Sequence, residues 1–136
     1  MAGIAERQDG QLTSLTAEQA LAGLIEAGKY ASMAGVLRPM MLEVLNEILS
    51  LGVVMVHVSN KQDYYADINR GLIDCRLGSK ACVVRIHWTL FEYHFMGFIP
   101  GQNQSLFYMN SVNLATLKSE HKRVDVLSAM LDQPIT

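Results

Sequence analysis

Two periodicities divide the chain near Gly52. Before it, apolar residues recur at helical spacing; after it, they alternate at the two-residue period of strands. Thr16 offers an N-cap, and Gln19, three residues on, completes a capping-box pattern. Ala20, Leu21, Leu24 and Ile25 form one stripe, with Gly28 placed as a C-terminal stop. A shorter helical piece, Tyr30 to Leu37, must end before Pro39, whose ring drives Arg38 out of the helical region. Pro39 then suits the first turn of the next helix. Met40, Met41, Val44, Leu45, Ile48 and Leu49 give this helix its apolar face, and Glu43, Asn46, Glu47 and Ser50 its wet side.

Beyond Gly52 the pattern predicts an antiparallel sheet. Val53 to Ser59 reads as a strand, with Val54, Val56 and Val58 on one face and Val53, Met55, His57 and Ser59 on the other. Asn60 to Asp63 reads as a turn, Tyr64 to Ile68 as a short strand interrupted at Asn69-Arg70-Gly71, and Leu72 to Leu77 as the next strand. Gly78-Ser79-Lys80 is the hairpin turn into the long run Ala81 to Asn110. In that run Cys82, Val84, Ile86, Trp88 and Leu90 share a face, after which Phe91, Tyr93 and Phe95 become the apolar set. No Gly, Pro or Asn accompanies this phase change, which points to a β-bulge at Leu90, with a hairpin as the alternative. A bulge would align Arg85, His87, Glu92 and His94 on one face. Pro100 to Asn103 is a turn and Ser105 to Asn110 a strand, with Leu106, Tyr108 and Asn110 alternating against Phe107 and Met109. Val112 to Ser119 fits either strand or helix. Lys122 to Leu131 fits a short C-terminal helix, closed by Pro134. The expected fold is α+β: N-terminal helices, a central antiparallel sheet of about five or six strands, and the C-terminal helix.

Composition narrows the class. The chain has 136 residues, which fits one domain over 1–136, and its polar lead over 1–14 is expected to be disordered. Half of the residues are apolar and 18% are charged, so a folded core is expected. A formal charge of −2 gives no argument for nucleic acid or an anionic membrane. No apolar run approaches the ~20 residues needed to cross a bilayer, and the first residues lack a signal-peptide core. A cytoplasmic location is therefore expected, and with it free thiols at Cys75 and Cys82.

Motifs for chemistry are scarce. No phosphate-binding glycine loop, Cys-x-x-Cys or His-Glu-x-x-His occurs, and strand carboxylates are few. These absences argue against an ordinary enzyme. Of the histidines, His87 and His94 are candidates to share a metal with Glu92 nearby, although solvated sheet histidines are the commoner case. His121 sits in a polar connection. His57 interrupts a valine-rich strand and reads first as a satisfied core histidine. Met55 and Met96 are strand methionines that would line a pocket, while Met33, Met40, Met41 and Met130 have helical core spacing.

The order of several pieces resembles a known family. A helix ending in Gly52 leads to a strand running into Val56-His57; later come Phe95-Met96-Gly97, a turn, Ser105 to Asn110, and Ala115-Thr116-Leu117-Lys118. This is similar to the intracellular heme-utilisation carriers of the ChuX/HutX type and to each half of the HemS-like heme proteins, over about residues 42 to 120. The resemblance implies an antiparallel sheet flanked by helices, a homodimer, and heme held in an apolar cleft. It favours a strand over Val112 to Ser119. It also places His57 at a heme-side histidine, as a candidate iron ligand. Gly71-Leu72-Ile73 stands where the family has Gly-His-Ile, so Leu72 replaces the second histidine. The heme-binding set expected on this basis is His57, Met55, Arg85, His87, His94 and Met96, with Arg85 paired to a propionate. The alternative is a non-catalytic interaction protein, of the secretion-chaperone or immunity type, that binds no heme.

Overall fold

The capping box forms as the sequence predicts. Thr16 N–H donates to Gln19 Oε1 at 2.9 Å, and Gln19 N–H donates to Thr16 Oγ1 at 3.0 Å. These bonds start α1 (Ala17–Ile25) in a computed structural model that describes residues 14–25, 37–63, 68–101 and 104–123. The second helix, α2 (Arg38–Ser50), has Pro39 in its first turn. It ends where Gly52, at φ 94°, takes the left-handed conformation and turns the chain into the sheet. The expected helix from Tyr30 falls almost wholly outside the described residues.

Six antiparallel strands follow in a meander: β1 (Val53–Asp63), β2 (Ile68–Leu77), β3 (Lys80–Trp88), β4 (Glu92–Ile99), β5 (Ser105–Asn113) and β6 (Lys118–Arg123). The molecule is α+β with a central antiparallel sheet. Several expected boundaries need correction. β1 continues through the expected turn at Asn60 to Asp63, and β2 runs unbroken through Asn69-Arg70-Gly71. The ambiguous stretch after Val112 holds the end of β5, a turn over Leu114 to Leu117, and the start of β6. Lys122 and Arg123, expected to open a helix, close β6; the remainder of that segment lies outside the described residues.

The phase change at Leu90 is a hairpin, not a bulge. Thr89 to Phe91 form the turn, held by Thr89 N–H to Glu92 O at 2.9 Å, and β3 and β4 pair antiparallel across it. The true bulges lie elsewhere. Met55 pairs with Cys75 but His57 with Asp74, so Val56 is an extra residue in β1. Gly97 pairs with Tyr108 but Phe98 with Leu106, so Phe107 is an extra residue in β5.

The helices cover one face of the sheet. There Leu21, Leu24, Met41, Val44, Leu45 and Ile48 meet Met55, Ile73, Val84, Ile86, Trp88 and Phe95 in one buried core. Removing the core side chains from water is the main stabilising term, at about 25 cal/mol per Å² of apolar surface. Gly97 leaves the space that the Phe107 ring fills: a Cβ there would stand 2.8 Å from Phe107 Cζ. Among the described residues no helix lies on the opposite face, where Val54, Leu72 and Met96 are exposed.

Candidate functional site

Antiparallel pairing assembles the chemistry of the open face. Across β2, β3 and β4, Leu72 pairs with Arg85 and Arg85 with Met96; two residues along, Arg70 pairs with His87 and His87 with His94. Directly opposed residues project to the same side of a sheet. The hairpin thus brings Arg85, His87, Glu92, His94 and Met96 onto one face, the grouping for which the sequence analysis invoked a bulge. The His87 and His94 rings meet edge to face with centroids 4.4 Å apart. Glu92 Oε1 lies 3.4 Å from His94 Nε2 and also takes part, through Oε2, in a 2.7 Å bond from Asn113. Beside them Ser59, Arg70, Leu72, Arg85 and His87 line a depression of about 430 Å³.

The electrostatics of this face are cationic with an apolar floor. Arg85 lies over the buried Phe98 ring at 4.9 Å in a cation–π contact. Burial, then the positive charges of His94 and Arg70, hold the His87 pKa below its ordinary value, against the opposing pull of Glu92. A neutral imidazole with an available lone pair is the ligating form of histidine.

The remaining expected site residues separate. The Val56 bulge inverts the alternation of β1, so His57 leaves the core side and turns to the open face. It is an exposed histidine 3.6 Å from Asp74, not a satisfied core residue, and such exposed pairs contribute little. Met55, on the other side of the bulge, is fully buried among the core residues beneath the helices and shares no surface with His57. His57 lies on the Asp74 row and His87 on the Arg70 row, four residues apart along β2. At ~3.3 Å per residue that is roughly 13 Å, too far for both histidines to hold one metal ion. Among the described residues no group of three or more His, Cys, Asp or Glu side chains is arranged to hold a metal.

A second array, on the helix side, was not anticipated from the sequence. Glu47 on the wet side of α2 accepts from the Tyr108 hydroxyl at 2.5 Å, and its Oε1 lies 3.1 Å from His121 Nε2. Arg123 donates to its other oxygen at 3.2 Å. Asn110 donates to the Tyr108 hydroxyl oxygen at 3.1 Å and accepts from Tyr93 at 3.3 Å. Burial raises the Glu47 pKa, but the Tyr108 hydrogen bond, His121 and Arg123 outweigh it, and the carboxyl ends below its ordinary value. Tyr108 is pushed up by burial and by its bond to Glu47. This array forms one wall of an open groove of about 670 Å³ between α2 and β4 to β6. The only signal in the sequence was the i, i+2 pair Tyr108 and Asn110; Glu47 looked like an ordinary solvent-facing residue. These bonds join side chains of the chain to one another and so tie β5 and β6 to α2. The open face is the better candidate for a ligand. No protein-family model, curated protein or solved structure matches the chain.

Proposed function

We propose that the protein is a non-catalytic carrier whose open sheet face binds a flat, amphipathic, carboxylate-bearing ligand of the heme class. The observation that carries this reading is the adjacency, on two neighbouring rows, of the His87/His94 pair, Arg85 and Arg70, and the apolar side chains of Leu72 and Met96. An imidazole from the pair would ligate the iron, with the second ring packed against it. The arginines would meet the carboxylates by charge-assisted hydrogen bonds, and Leu72 and Met96 would contact the macrocycle. In this reading the axial role passes from His57 to His87 or His94.

Hemin titration of the full chain tests it. A Soret shift is expected that is retained in His57→Ala and lost in His87→Ala/His94→Ala. No shift in the wild type, or an unchanged shift in the double variant, overturns it. Binding should weaken as pH falls through the His87 pKa, which lies below the ordinary 6.5, because protonation removes the lone pair. Binding that does not weaken on acidification down to the onset of acid unfolding would remove His87 from the site.

The exposed Val54, Leu72 and Met96 favour a second reading, in which a protein partner or a second copy covers this face. A homodimer through this face should dissociate in Leu72→Asp by light scattering. A mass unchanged between wild type and variant removes the homodimer.

A further inference from the structure

The helix-facing side of the sheet carries a row of sulfur. Met55 pairs with Cys75 across β1 and β2, and Cys75 pairs with Cys82 across β2 and β3. The row thus unites both cysteines of the chain with one of its eight methionines. All three are buried, at 0%, 4% and 1% exposure. Directly opposed side chains on neighbouring strands start with Cβ atoms roughly 4.5–5.5 Å apart, so the three side chains lie next to one another in the core. Both thiols are free, and Cys75 Sγ donates to Ile73 O at 3.2 Å. Val53, Leu77 and Val84 belong to the same buried cluster. Asp74, next in sequence, projects to the opposite face with His57. The row lies two residue pairs from the Gly78-Ser79 turn, near one end of the sheet, which gives a short path from solvent.

Thiolate and thioether are soft donors that select Cu(I) over hard or borderline divalent ions, and an apolar shell that excludes water protects that oxidation state. We propose that Met55, Cys75 and Cys82 form a Cu(I) site, with the two cysteine sulfurs as the strong ligands and the Met55 thioether as the third. Binding transfers no electron: Cu(I) enters, each thiol gives up its proton to solvent, and two Cu–S bonds replace two S–H bonds. This site lies on the opposite face from the proposed heme surface and does not depend on it.

The test is anaerobic titration of the full reduced chain with Cu(I) in competition with bicinchoninate, together with copper K-edge absorption of the loaded protein. One equivalent bound in an all-sulfur environment is expected. Cys75→Ala and Cys82→Ala should each weaken binding by about 100-fold or more and Met55→Leu by about tenfold, since even supporting residues around metals are worth about 10–100-fold. Failure of the wild type to compete, a nitrogen or oxygen shell, or unchanged affinity in Cys75→Ala/Cys82→Ala overturns the proposal. The wild-type spectrum decides the ligand set even if a variant fails to fold.

Discussion

The two faces of the sheet are built from the same strands but obey different rules. On the helix side, β2 and β3 present Ile73, Cys75, Val84, Ile86 and Trp88, all buried, and positions are decided by volume. On the open side the same strands present Arg70, Leu72, Asp74, Arg85 and His87, and positions are decided by charge and exposure. Alternation lets one strand serve both, with structure carried by one set of side chains and binding chemistry by the other. Substitutions on the two sides should therefore differ in kind as well as in size.

The largest contrast is in the core. Trp88→Ala should cost about 3–5 kcal/mol in urea unfolding through the cavity it leaves. A cost under about 1 kcal/mol would mean that the helix side is not close-packed around this ring. Gly97→Ala comes next. Its methyl would collide with Phe107, so a loss of about 1–3 kcal/mol is expected, reduced when Phe107→Leu is added. Additive costs in the double variant would break that assignment.

Tyr108→Phe removes one donor from Glu47 and should cost about 1 kcal/mol at neutral pH. Because the folded pKa of Glu47 is depressed, its contribution is present above the ordinary carboxyl value of 4.5 and is lost as pH falls through the folded value. The variant should therefore lose less stability than the wild type between neutral pH and acid. Parallel stability–pH profiles would show that Tyr108 does not lower the Glu47 pKa. The smallest effect belongs to the open face. Leu72→Ala, at a residue 41% exposed, should change stability by no more than about 0.5 kcal/mol while weakening hemin binding. A large stability loss there would mean that this face is packed against something in solution.

Much of the scaffold was legible in the chain. The capping box at Thr16 and Gln19, the stop at Gly52 and the turn at Gly78-Ser79 appear because each rests on local backbone chemistry. The site was legible only in pieces. His87, His94 and Arg85 were picked out by type and spacing, but the reason given for their meeting, a bulge, was wrong. Three residues, Thr89 to Phe91, make the turn, with Phe91 N–H donating to Thr89 Oγ1 in place of glycine or proline. Without glycine or proline at the turn, the sequence favoured the bulge and left the hairpin as the alternative. The Glu47 array stayed hidden for another reason: Tyr108 and His121 lie 61 and 74 residues from Glu47.

By itself the sequence determined the helices at the start of the described chain, an antiparallel sheet, and which residue types were available for binding. Those follow from period and capping, which act over a few residues. Only the tertiary structure decided which residues share a surface. A single extra residue, Val56, reverses alternation and separates His57 from Met55. Hairpin register sets His87 against His94 and Cys75 against Cys82, because opposition across strands depends on where each turn closes.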